Sequence, residues 1–117
     1  MIEQLISRVF YARNLAHWNH WRTSSYAQHQ ALGEFYDAVI DALDTLVEAH
    51  QAVEGVVGAI PASGGREKDP LDVLVADAEW IEENHEKICG KNRAIGNLVD
   101  SVTGVYLRAI YKLKNLK

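Results

Sequence analysis

Apolar residues along this chain recur at the three- and four-residue spacing of a helix, in four separate stretches. Ile2, Leu5, Ile6, Val9, Phe10, Ala12 and Ala16 mark the first, over about 2–21. Thr23, Ser24 and Ser25 then supply hydroxyl caps for a second helix over about 25–53. Its stripe is Leu32, Tyr36, Val39, Ile40, Leu43, Leu46 and Val47, and Gly33 inside it costs roughly 1 kcal/mol against Ala. Asp69-Pro70 opens a third helix over about 70–88, with Asp69 as N-cap and Pro70 at the first helical position. Leu71, Leu74, Val75, Ala78, Ile81, His85 and Ile88 form its inward face until Cys89-Gly90 stops it. The fourth runs over about 92–115, carried by Ile95, Leu98, Val99, Val102, Val105, Tyr106, Ala109, Ile110, Leu113 and Leu116. Arg108, Lys112, Lys114 and Lys117 gather at its C-terminal end, where cations complement the helix dipole.

The connections set the expected topology. Two are only a few residues long, so the pairs they join are antiparallel hairpins. The middle one, GVVGAIPASGGREKDP, holds four of the eight glycines and both prolines, and it is long enough to travel the length of a helix. The expected fold is all-α, a single ferritin-like four-helix domain over 1–117 with one long crossover between helices two and three. An up-down bundle with a loose loop is the alternative.

Composition narrows the function classes. A chain of 117 residues, 48% hydrophobic and 24% charged, is one globular domain. A single cysteine excludes a disulfide framework and fits a reducing, cytoplasmic interior. The net charge of −4 argues against DNA as a partner, because phosphate binding needs a basic surface. No apolar run approaches the ~20 residues of a membrane span, and the N-terminus lacks the apolar core of a signal peptide.

Histidines and carboxylates carry the candidate chemistry. Asp37, Asp41, Asp44 and Glu48 share one face of the second helix, and His17 and His20 share one face of the first. Imidazole with carboxylate suits Fe²⁺, Mn²⁺ or Zn²⁺. Asp37 and Asp41 read better as a solvated face. Asp44 and Glu48 sit one turn apart beside Leu43 and Val47, where paired negative charge favours a cation. His29 and Asp44 are separated by roughly 22 Å along one helix, so they cannot ligate one ion within a chain. A two-fold axis crossing the second helix would bring Asp44 and Glu48 of one copy toward His29 of another, with His17 joining from the hairpin. The spacing permits a metal site shared between subunits.

The run from His17 to Glu48 resembles the Dps-type mini-ferritins. Their motif has H-W-N, a second histidine twelve residues on, an E-F-Y-D-like run and D-x-x-x-E. The counterparts here are His17-Trp18-Asn19, His29, Glu34-Phe35-Tyr36-Asp37, and Asp44 with Glu48. The resemblance covers a little over a quarter of the chain. It implies a homo-oligomer, a dimer at least and up to a hollow dodecamer, with a ferroxidase site shared between two subunits. His17 and His29 would come from one chain and Asp44 and Glu48 from its neighbour, with iron as the metal and Zn or Mn as substitutes. Gly33 stands where the family usually places a further carboxylate, and the family's Lys-rich tail is lacking. Short chains with a similar SYAQHQALGEFYD-like stretch resemble Dps-related proteins of tailed phages.

The other candidates have simpler readings. Glu82-x-x-His85 matches the spacing of di-iron bundles but has no second copy, so His85 reads as structural. His50 reads as a capping or surface residue, and Trp18, Trp21 and Tyr36 as core or dimer packing. Trp18 and Tyr36 are also placed to relay electrons if iron chemistry operates. Cys89 lies beside a helix-ending glycine without an evident base. The leading expectation is an iron-oxidising mini-ferritin; the competing one is a non-catalytic oligomeric scaffold or binding protein, phage-related, that keeps the frame.

Overall fold

The computed structural model describes residues 1–62 and 64–117. Four helices, α1 (Ile2–Arg22), α2 (Tyr26–Glu54), α3 (Pro70–Cys89) and α4 (Arg93–Asn115), account for all the regular structure among them. The chain is an all-α four-helix bundle. Local chemistry sets the helix starts. Ser25 accepts a hydrogen bond from the Gln28 N–H and opens α2, while Asp69 accepts from the Leu71 N–H ahead of Pro70. Asn92 caps α4 by accepting from the Ile95 N–H. Gly55 and Gly90, both at positive φ, close α2 and α3, a conformation other residues rarely adopt.

Each helix packs on two neighbours: α1 on α2 and α3, and α4 on α2 and α3. At ~1.5 Å per residue α2 alone matches the 44 Å long axis of the molecule. The core runs between the four stripes through Leu5, Val9, Leu15, Leu32, Phe35, Val39, Leu46, Leu74, Ile81, Val99 and Tyr106. Phe35 meets Tyr106 edge to face at 5.0 Å. Phe10, expected on the stripe of α1, is instead 42% exposed, because its neighbour Val9 takes the inward direction. Leu116, expected in register with α4, lies beyond the helix end and is exposed.

One charged residue sits inside this core. Asp77 is 3% exposed and accepts from the Tyr106 hydroxyl at 2.9 Å and the Arg8 guanidinium at 2.8 Å. Burial pushes its carboxyl above the usual range, and the two hydrogen bonds oppose that push. The Tyr106 hydroxyl is driven well above its ordinary value by burial and by the carboxylate beside it. Arg8 also lies over the Trp80 ring at 4.7 Å, which holds the guanidinium in place.

The segment between α2 and α3 makes side-chain contacts along α1. The Gly58 N–H donates to Glu3, the Tyr11 hydroxyl to the Arg66 carbonyl, and Arg22 pairs with Glu67. The Gly58 bond, with help from the N-terminal ammonium, lowers the Glu3 carboxyl to about 2. No helix among the described residues is long and apolar enough to cross a membrane.

Candidate functional site

The short turn between α1 and α2 lets the end of one helix lie against the start of the next, and the two meet through histidines. His20 Nδ1 is 2.7 Å from the His29 carbonyl, and His29 Nδ1 is 2.7 Å from the His20 carbonyl. Their rings stack at 3.7 Å with 17° between planes. A carbonyl oxygen only accepts, so each Nδ1 carries a proton and, in the neutral ring, each Nε2 keeps its lone pair. Gly33, one turn after His29, makes this possible. A Cβ at that position would lie 3.1 Å from two atoms of the His20 ring. The interior glycine therefore leaves room for an imidazole, and the helix-propensity cost is offset by the ring that fills the space.

Tyr36 extends the cluster. His17 stacks on its ring at 4.0 Å and 13°, and His20 meets it edge-on at 5.4 Å. His17 also lies 4.3 Å from the Trp21 ring and 6.3 Å from that of His20. The three imidazoles are half-buried at the bundle corner. Trp18 and Tyr36 pack against the core, whereas Trp21, expected in core or dimer packing, is 67% exposed in the single chain and so lies outside the core. The E-F-Y-D run divides its work by direction: Glu34 pairs with Lys112, Phe35 enters the core, Tyr36 supports His17, and Asp37 faces solvent.

Asp44 and Glu48 lie further along α2 and are exposed, as is Asp41. The fold brings His17, His20 and His29 to one corner and leaves Asp44 and Glu48 away from it. Among the described residues, no group of three or more His, Cys, Asp or Glu side chains converges within one chain to hold a metal ion. His50, expected to cap or face solvent, is half-buried with its Nδ1 enclosed and unpartnered.

Sequence reasoning missed three groups. Asp77 follows Leu74 by three residues and precedes Ile81 by four, so the stripe spacing already pointed it inward. His20 was legible only as half of H-x-x-H; its partner carbonyl lies across the turn. Cys89, read as lacking an evident base, has an imidazole neighbour: His85 sits four residues earlier on the same helix, with Nδ1 at 3.6 Å from the sulfur, while the Gly90 carbonyl accepts from the thiol at 3.3 Å. His85 Nε2 in turn lies 2.8 Å from Asp100. Glu82, which shares the Glu-x-x-His spacing with it, is exposed.

A protein-family model described as a family of unknown function (DUF5856) matches residues 20–113. That span takes in His20, His29, Asp44 and Glu48 and begins after His17. No curated protein and no solved structure matches the chain. With more than half of its length inside the family model, the chain belongs to the DUF5856 family.

Proposed function

We propose that this protein is a Dps-like mini-ferritin that binds Fe²⁺ between two copies of the chain and oxidises it with peroxide or dioxygen. Iron is the substrate, and each Fe²⁺ gives up one electron to the oxidant. The observation that carries the reading is the 2.7 Å contact of His29 Nδ1 with the His20 carbonyl: with the Nδ1 proton spent there, Nε2 of the neutral ring offers a lone pair of the kind a metal takes. His17 supplies a second imidazole at the same corner. Asp44 and Glu48 are exposed and available to another copy. An antiparallel pairing of two α2 helices would carry those carboxylates over the ~22 Å that separates them from His29 on one chain. The packing of α1 and α4 each on α2 and α3, and the contacts of residues 58, 66 and 67 along α1, support a ferritin-like crossover. The net charge of −4 leaves DNA out of the reading.

Titration calorimetry of the metal-free protein with Fe²⁺ under nitrogen, and with Zn²⁺ and Mn²⁺, tests the site. Micromolar binding should vanish in both His29→Ala and Asp44→Ala, and Glu48→Ala should stop iron oxidation with helix content intact. Mass in solution should be that of a dimer or a larger even assembly. Binding that survives Asp44→Ala removes the shared site.

One observation favours a second reading, a non-catalytic oligomeric scaffold. Gly33 occupies the position of the extra carboxylate in the resembled family, and the His20 ring closes that space. An oligomer that takes up none of the three ions would decide for it.

A further inference from the structure

The turn from α3 to α4 gathers a thiol, an imidazole and a carboxylate in line. Cys89 Sγ lies 3.6 Å from His85 Nδ1, and His85 Nε2 lies 2.8 Å from Asp100 Oδ1 and 3.3 Å from the Gly96 carbonyl. Both partners of Nε2 are acceptors, so in the neutral ring Nε2 holds the proton and Nδ1 keeps its lone pair on the side of the thiol, whose own hydrogen points to the Gly90 carbonyl at 3.3 Å and must rotate to reach Nδ1. That is the arrangement in which an imidazole draws a proton from sulfur while a carboxylate fixes the ring. Buried Gly96 lies against the pair: a Cβ there would be 3.4 Å from the His85 ring and 3.5 Å from Cys89 Sγ, in ordinary contact with both. Beside the thiol is an open cavity of about 550 Å³, lined also by Lys91, Arg93 and Asn97 and, on the acidic side, by Glu86.

We propose that Cys89, His85 and Asp100 form a thiol-exchange site for small disulfides bearing carboxylates. The Cys89 proton passes to His85 Nδ1, and the sulfur attacks one sulfur of the disulfide. A Cys89–S bond forms as the S–S bond breaks. The electron pair leaves on the second sulfur, which takes the proton back from His85 as a free thiol. One thiol and one disulfide become one mixed disulfide and one thiol, so no further oxidant is required. Lys91 and Arg93 meet the carboxylates of the incoming molecule. The chain has no second cysteine to displace the adduct, so Cys89 stays modified until an outside thiol reverses the step. This site is independent of the imidazole corner on α1 and α2.

The test follows the mass of the reduced full-length protein over time with glutathione disulfide, and separately with neutral 2-hydroxyethyl disulfide. The wild type should gain one glutathionyl group, and Cys89→Ser none. His85→Gln should react about tenfold or more slowly near pH 7, with the gap closing above about pH 9, where a thiol ionises without help. Asp100→Asn should slow the reaction less and show the same convergence, as a positioning residue does and a merely structural one does not. Lys91→Ala combined with Arg93→Ala should slow only the charged disulfide. Circular dichroism checks that each variant keeps its helices. Equal rates for wild type, His85→Gln and Asp100→Asn at every pH overturn the triad. A double variant that treats both disulfides as the wild type does overturns the substrate class.

Discussion

The two short hairpins of this bundle use one device in opposite senses. In each, a histidine near the end of the first helix reaches a backbone carbonyl of the second: His20 to His29 across α1–α2, and His85 to Gly96 across α3–α4. In each, a glycine of the second helix faces the ring: Gly33 clears space for His20, whereas a Cβ at Gly96 would meet His85 at ordinary contact distance. The difference is which nitrogen is spent. His20 and His29 commit Nδ1 and leave Nε2 free, the nitrogen that extends furthest from the backbone. His85 commits Nε2 and leaves Nδ1 facing a thiol four residues away on its own helix. A carbonyl or carboxylate acceptor therefore selects the tautomer, and the tautomer selects the chemistry left to the ring.

Substitutions at these two glycines should break this parallel most strongly. Gly33→Val drives a branched side chain into a ring already 3.1 Å from the Cβ position and should cost about 2–3 kcal/mol in chemical denaturation. It should also weaken the NOE contacts and mutual ring-current shifts between the stacked His20 and His29 rings in NMR. His20→Ala removes a hydrogen bond and a stacked ring, an expected loss of about 1–2 kcal/mol. Gly96→Ala has more room, at 3.4 Å, so helix propensity should dominate and raise stability by up to about 1 kcal/mol. A loss at Gly96 as large as that at Gly33 would show that the two hairpins are equally tight.

Acid titration sharpens the contrast between these half-buried rings and the groups elsewhere. The Asp77 carboxyl is raised by burial, so its contribution is full below the ordinary 3.8 and shrinks as pH rises through its higher folded value. Asp77→Asn cannot ionise and should remove that part of the slope from a plot of unfolding free energy against pH. Glu3 has the opposite sign. Its carboxyl is lowered to about 2, so its contribution is present above the ordinary 4.5 and lost as pH falls through the lower value. The effect of this surface carboxylate should be the smallest of the set, visible as a shift of the Gly58 amide resonance near that pH. An amide that does not move would mean the Glu3 contact is absent in solution.

Much of the architecture was readable along the chain. Four apolar stripes, Ser25 and Asp69 as caps, Pro70 at the first turn and Gly90 at the stop all act within a few residues of themselves. Asp77 could have been read from its place between Leu74 and Ile81, and the imidazole beside Cys89 from the four-residue step back to His85. Phe10 and Trp21 could not. Both are large and apolar at helix positions, and only the neighbouring helices determine that their side is left uncovered.

By itself the sequence determined the all-helical class, the helix ends and the residue types available for chemistry, because periodicity and capping are local interactions. Tertiary structure alone decided which ring nitrogen stays free, which acids stand apart from the imidazoles, and that Gly33 is an opening rather than a flaw. Those outcomes depend on how closely two helices approach across a turn, to within a few tenths of an ångström, and no spacing along one helix encodes that distance.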